Sequence, residues 1–257
     1  MHPLIDTHVH LDRLEKPLHA VTEARQQRVE DFIIPGIYPE GWPMLLSLAE
    51  SIPGVWAAPG IHPMAAKVWH PALEARLRAA LQHPKVVAIG EVGLDSQADS
   101  PAHQQEATFR SMIRLARDVD LPLLLHVRGA VGRLLEILRE EQAQQVGGIF
   151  HAFSASLEVA RQANDLGFAL GIGGIVTYPG ARRLPEAVRQ MPAEWLVLES
   201  DAPDMAPHPF RGEANRPALL PLIAGEVARL RGWSLDETAK ITTSNAGRVL
   251  RFAEQSR

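Results

Sequence analysis

No cysteine occurs anywhere in the 257 residues, which excludes disulfides, thiolate metal ligands and cysteine nucleophiles in one step. Only nitrogen and oxygen donors remain for a metal, so His, Asp and Glu must supply them. No window approaches the roughly 20 apolar residues of a transmembrane helix. The start, Met1-His2-Pro3-Leu4-Ile5-Asp6, has no basic region leading into an apolar run, so neither a membrane span nor a signal peptide is expected. A soluble cytoplasmic protein is the default, and the lack of cysteine is equally compatible with export. Blocks of like charge are missing too, and the formal net charge is only −4, so any nucleic-acid contact must be local.

What is present is apolar: 46% of the residues are hydrophobic, enough for one large α/β domain or two small ones. Eight short apolar or β-branched runs recur: Leu4–His10, Phe32–Tyr38, Val55–Pro63, Val86–Leu94, Leu121–Val127, Gly148–Phe153, Phe168–Val176 and Trp195–Asp201. Most are continuous and not alternating, as suits parallel strands covered on both faces. Between them the spacing is helical. His103–Val119 carries Phe109, Met112, Ile113, Ala116 and Val119 on one face, and Val131–Leu138 and Leu219–Leu230 are also amphipathic. Gly41–Ala49 and Arg182–Gln190 are shorter. Ser234, with Glu237 three residues on, opens a helix toward Ile241. A last helix is expected over Ala246–Phe252, with Glu254–Arg257 as a frayed tail. No Ser/Gly-rich linker or compositional break interrupts the alternation, so residues 1–257 are expected to form a single α/β domain, a (β/α)8 TIM barrel. A doubly wound open sheet is the alternative, but its Gly-rich phosphate turn is missing after the first strand, where His8-Val9-His10 stands.

In such a barrel the active site lies at the C-terminal ends of the strands. Six candidate ligands fall there: His8, His10, Glu91, His126, His151 and Asp201. On a strand, His8 and His10 would share a face and converge on one point. Any one strand-end histidine is more often a hydrogen-bonded rim residue than a ligand. Glu91 within Val-Val-Ala-Ile-Gly-Glu-Val-Gly is harder to dismiss, because an ionised carboxylate in apolar surroundings must be paired, protonated or metal-bound. Four histidines and two carboxylates exceed the need of one four-coordinate zinc and suit two divalent ions sharing a bridging carboxylate. Glu91 is the expected bridge, with His8, His10 and Asp201 on one ion and His126 and His151 on the other. Asp201 is also placed as a general base. Nitrogen-rich ligation suits zinc, manganese or iron better than bare magnesium.

The blocks Ile5-Asp6-Thr7-His8-Val9-His10, Gly60-Ile61-His62-Pro63, Ile89-Gly90-Glu91-Val92-Gly93-Leu94-Asp95, Leu125-His126-Val127-Arg128, His151-Ala152-Phe153-Ser154 and Leu198-Glu199-Ser200-Asp201-Ala202-Pro203 resemble those of the TatD family of metal-dependent hydrolases, within the amidohydrolase superfamily. The resemblance runs from residue 5 to about 250. Gly171-Ile172-Gly173-Gly174, Thr177-Tyr178-Pro179 and Ser200-Asp201-Ala202-Pro203-Asp204-Met205 resemble the YjjV-like branch. The family implies a TIM barrel with a two-metal site, the same six ligands, and divalent-metal-dependent hydrolysis, often of phosphodiesters in DNA. Two departures bear on substrate preference. Val127 stands where many relatives carry a small hydroxyl residue, and Ser96–Pro101 lacks an aromatic residue common there.

For the substrate, Arg128 lies two residues beyond His126 and reads either as a phosphate or carboxylate clamp or as a solvated rim arginine. His62 meets a substrate oxygen or merely structures its loop with Pro63. Arg211, Asn215 and Arg216 read as a solvated loop, and Asn245 as a helix cap. The leading expectation is a TatD-type deoxyribonuclease acting as a monomer on DNA or a small phosphodiester through a metal-activated water. The alternatives are a binuclear hydrolase of an amide, lactone or other ester, and a non-catalytic metal or nucleic-acid binding barrel.

Overall fold

Strand and helix alternate along the computed structural model, which describes residues 2–251. The strands are β1 (Leu4–Asp6), β2 (Val29–Pro35), β3 (Val55–Ala58), β4 (Ile89–Asp95), β5 (Leu123–Arg128), β6 (Gly148–Phe150), β7 (Phe168–Ile172) and β8 (Leu196–Leu198). All ladders are parallel, in the orders β1-β2-β3 and β4-β5-β6-β7-β8. Two seams join the sheets. Ala57 bridges to Val86, with Val87 N–H donating to Ala57 O at 3.0 Å. On the other side Thr7 N–H donates to Leu198 O at 3.0 Å, and Asp201 N–H to His8 O at 2.9 Å. The closed set is the (β/α)8 barrel expected from the alternation.

Side-chain parity divides the core in two. Ile5, Ile33, Trp56, Ala58, Val87, Leu124, Ile149, Ala169 and Val197 form one buried cluster with Ala246 and Leu250. Every strand line contributes to it, which identifies it as the barrel interior. Neighbouring residues such as Leu4, Phe32, Leu123, Leu125, Phe150 and Leu198 instead join the cluster with the helices. Both parities are therefore apolar, and the strands read as unbroken hydrophobic runs.

The helices are α1 (Pro17–Gln26), α2 (Trp42–Ser51), α3 (Pro71–Leu81), α4 (Ala102–Val119), α5 (Val131–Glu140), α6 (Leu157–Asp165), α7 (Arg183–Gln190), α8 (Leu220–Arg231) and α9 (Leu235–Leu250). The helical spacing in the sequence matches α2, α4, α5, α7 and α8 within two residues at each end. By contrast α1, α3 and α6 are not expected from the sequence: α1 and α6 bury little but alanine and valine, and α3 presents only the single line Leu73, Leu77 and Leu81. The expected pair of C-terminal helices is one continuous α9. Its Thr-Thr-Ser-Asn interruption suggests a cap, but Thr242, Thr243 and Asn245 find partners that leave the helix intact and Ser244 is exposed. Thr242 donates to Thr238 O at 2.9 Å, Thr243 to Pro3 O at 2.9 Å, and Asn245 Nδ2 to Ala193 O and Leu196 O at 2.8 and 2.9 Å. Asn245 thus ties α9 to the entry of β8 instead of capping a helix. Ser234 does cap α9, its hydroxyl accepting from Glu237 N–H at 3.1 Å. The expected tail over Glu254–Arg257, and the end of the predicted helix at Phe252, lie outside the described residues.

One ion-pair cluster outside the barrel mouth ties α4 to α5 and the turn after it. Arg114 donates to Glu141 Oε2 and Oε1 at 2.8 and 2.7 Å, and Arg110 to Oε1 at 2.8 Å. Arg114, together with Arg110, outweighs the opposing effect of burial and holds the Glu141 carboxyl below its ordinary pKa. A depressed carboxylate pKa stabilises the fold above the unfolded value near 4.3 and stops doing so as pH falls through the folded value. Glu141→Gln is expected to cost about 1–2 kcal/mol at pH 7, since charged hydrogen bonds are lost but Arg114 is solvated. The cost should shrink toward zero at pH 3, as read by urea denaturation at both pH values.

Candidate metal centre

Period-two geometry aims three of the site residues inward. Leu124, Ile149 and Val197 belong to the barrel interior, so His126, His151 and Glu199, each two residues further on, continue the inward face at the C-terminal mouth. His8 and His10 arrive differently. The β1 ladder ends at Asp6, and the two histidines lie in the irregular segment after it, so the expected convergence along one strand face does not hold. Instead Val9 packs into the helix-side cluster, and its N–H donates to Ile33 O at 3.0 Å, while His10 N–H donates to Ala202 O at 2.8 Å. The rings nevertheless meet, with centroids 5.2 Å apart and nearly perpendicular.

Asp201 lies two residues beyond Glu199, past the end of β8 at Leu198, and reaches the centre through a left-handed backbone, φ 57°. Buried Asp6 braces this turn. Its Oδ1 accepts from Ser200 N–H at 2.8 Å and its Oδ2 from the Ser200 hydroxyl at 2.5 Å. Asn215, expected in a solvated loop, is 2% exposed and donates from Nδ2 to Ser200 O and Asp204 O at 2.7 and 2.8 Å. It closes the loop after β8 onto the site.

The two oxygens of Glu91 face different partners. Oε2 stands 3.3 Å from His8 Nε2 and 3.8 Å from His10 Nε2. Oε1 stands 2.5 Å from His126 Nδ1, 3.7 Å from His62 Nε2 and 3.9 Å from His151 Nε2. Asp201 Oδ1 lies 3.9, 3.7 and 3.7 Å from Nε2 of His8, His10 and His151. Three donor sets keep one ligand atom per residue within 4.8 Å of the others: His8–His10–Asp201, His8–His151–Glu199 and His62–Glu91–His126. The six predicted residues are thus brought together. Within the group His151 stacks on His8 with centroids 3.4 Å apart and lies 6.5 Å from His126, while its Nε2 faces the same Glu91 oxygen that His126 contacts. His62 takes the place beside His126 and Glu91. Arg128 is exposed at the end of β5.

The donor chemistry fits divalent cations. His8 Nε2 and His126 Nε2 are buried and complete no hydrogen bond among the described residues, a condition that costs about 1–3 kcal/mol per group unless something else binds them. Burial pushes His10 and His62 down to about 4 and His8 well below its ordinary value, so these imidazoles are neutral. Burial alone would raise Glu91, but His8 and His126 hold it well below the usual carboxylate range. Neutral imidazoles around an anionic carboxylate are the forms a metal binds.

Two residues not predicted for the site support those that were. Glu199 Oε1 stands 3.0 Å from His151 Nδ1 and accepts from Ala152 N–H at 2.6 Å. Burial works against a charge on His151, but Glu199, with Asp201, holds its pKa up at about 10. A Cβ at Gly171 of β7 would overlap the Glu199 carboxylate, so this glycine makes the room Glu199 occupies. Asp95 Oδ2 lies 3.4 Å from His126 Nε2, and Gln105 clamps the Asp95 backbone at N–H and carbonyl with bonds of 2.8 and 3.0 Å. Glu199→Gln is expected to weaken metal binding 10–100-fold, as carboxylate partners of ligating histidines do. Gly171→Ala should reproduce part of that loss by displacing Glu199, and titration of metal-free protein with Zn²⁺ checks both.

The match to known proteins spans the chain. Residues 5–251 match the family model described as TatD related DNase. The uncharacterized metal-dependent hydrolase YabD of Bacillus subtilis is 38% identical over 253 residues, covering 97% of this chain and 99% of the relative. A protein of Pantoea vagans named 3'-5' ssDNA/RNA exonuclease TatD is 36% identical over 216 residues, covering 80% and 82%. The crystal structure of Escherichia coli YjjV superposes with a TM-score of 0.91 at 32% identity, covering 96% of this chain and 97% of that one.

Proposed function

Because the chain belongs to the TatD-related DNase family of metal-dependent hydrolases, we propose that it hydrolyses phosphodiester bonds in single-stranded nucleic acid or small phosphodiesters with two divalent metal ions. The observation that carries this reading is Glu91, a buried carboxylate whose two oxygens face separate groups of histidines. In it, His8, His10 and Asp201 hold one ion and His62 and His126 the other. Glu91, with one oxygen toward each group, would be shared by both, and His151, steered by Glu199, would add a donor beside His8. Bound ions supply Lewis-acid polarisation of a phosphoryl oxygen and lower the pKa of a water. Asp201, raised to about 8 by burial although His151 opposes this, is the group that takes a proton at the end of β8. Arg128, exposed on the β5 end, receives the phosphate of the departing strand. The unit is taken as one domain over residues 1–257, a monomer in the cytoplasm.

No described helix is long and apolar enough to cross a membrane. A relative named for exonuclease action on single-stranded DNA and RNA supports the phosphodiester over an amide or lactone. The test is to incubate the purified protein with 5'-labelled single-stranded DNA and Mn²⁺ or Mg²⁺ beside a His8→Ala control. Metal-dependent shortening by the wild type alone is expected. Equal cleavage by the control, or turnover of amides or lactones with none of DNA, rejects the proposal.

A further inference from the structure

A cleft of about 950 Å³ opens beside the metal centre on the β1–β3 side of the barrel mouth. Its lining includes Asp12, Arg13, Tyr38, Glu40, Met64 and Asp204. Three of these walls are fastened to site residues. Met64 N–H donates to His62 Nδ1 at 3.1 Å, and the Tyr38 loop is held where His62 N–H donates to Ile37 O at 3.1 Å. Asp204 N–H donates to Asp201 O at 2.8 Å. Whatever enters the cleft is therefore positioned against the donors that surround Glu91.

The chemistry of the lining selects what enters. Tyr38 and Met64 are large and yet 46% and 39% exposed, an aromatic ring and a thioether turned to solvent beside a buried polar centre. Three carboxylates, Asp12, Glu40 and Asp204, face one guanidinium, Arg13, which is already paired with Asp204 at 2.6 Å. Such a wall repels phosphate, so the cleft does not carry the backbone of a polyanion. Flat neutral groups that stack on Tyr38 and Met64 are favoured instead.

Resting on the nuclease reading above, we infer that this cleft holds the base of the nucleotide whose phosphodiester is cleaved, stacked on Tyr38 and Met64. The carboxylates keep the sugar-phosphate chain on the opposite side, toward β4 and β5. Sequence tolerance follows, because every base offers a π face.

The experiment compares an octadeoxyadenylate with an octamer of base-free (tetrahydrofuran) nucleotides, using wild type, Tyr38→Ala and Tyr38→Phe in Mn²⁺. Removing the ring or removing the bases is expected to lower kcat/KM about tenfold, through KM, and removing both to cost no more than either alone. Tyr38→Phe should keep wild-type values, since the ring and not the hydroxyl does the stacking. As a readout independent of turnover, fluorescence of a 2-aminopurine oligonucleotide should be quenched on binding wild type and not Tyr38→Ala. Full activity of Tyr38→Ala on octadeoxyadenylate, or losses from ring and bases that multiply, overturns the inference while the nuclease reading stands. Failure of the wild type to cleave either octamer overturns both.

Discussion

Glu91→Gln is expected to abolish metal-induced stabilisation and to lower turnover by more than the 10–100-fold typical of losing an outer partner of a ligand. Glutamine keeps the shape and one oxygen but removes the charge that faces His8 and His10 on one side and His62 and His126 on the other. In wild type, a metal at one hundred times its dissociation constant adds about 2.7 kcal/mol. For a chain of this size that corresponds to a rise in Tm of roughly 5–10 °C. The variant should melt at one temperature with or without added Zn²⁺ or Mn²⁺. Its metal-free form should be less stable than wild type at pH 7, because His8 and His126 hold the Glu91 carboxyl well below its ordinary pKa and the folded state therefore favours its charge. Elemental analysis after gel filtration supplies the second readout, with two ions per chain expected for wild type and one or none for Glu91→Gln. Two ions retained by the variant would show that Glu91 is not the bridge.

The elements readable from the chain are those whose chemistry repeats a period. Strands buried on both faces and the wide apolar stripe of α4 stand out, and the order of β and α units then fixes the barrel. Parity carries information about the site as well. Val197 faces the barrel interior, so Glu199 does too, and the carboxylate that steers His151 follows from counting by two. What period does not show is where the chain stops being a strand. His8 and His10 converge because the ladder ends at Asp6, and Asp201 turns inward through a left-handed residue held by Asp6, Ser200 and Asn215. The Asp6–Ser200 hydrogen bonds link residues 194 apart, and the Asn215–Ser200 bond closes a 15-residue span of irregular loop, neither of which a local pattern encodes. The same holds for His62, a lone histidine before a proline, which joins Glu91 only because β3 and β4 meet at a seam without a full ladder.

Asp201→Asn separates the two jobs given to this carboxylate. Asparagine presents an oxygen at the same place but cannot accept a proton at neutral pH, so a residue that only binds metal and one that also takes a proton respond differently. If the side chain acts solely as a ligand, the variant should lose metal from the His8–His10 set, and activity should return as added Mn²⁺ rises. If it accepts the proton, kcat should stay depressed by the 10²–10⁴-fold typical of a lost general base, at saturating Mn²⁺ and with KM little changed. The second pattern is expected. Asp201 lies near His8, His10 and His151 at 3.7–3.9 Å, none in hydrogen-bond contact, and a left-handed backbone whose N–H is committed to His8 O aims it at the centre. That geometry leaves Asp201 Oδ1 without a hydrogen bond from these three histidines. Because His10 and His62 are neutral, neither replaces it as the first acceptor without giving up its place around Glu91. Recovery of kcat by metal alone would reduce Asp201 to a ligand and move the search for the base to Asp95, 3.4 Å from His126.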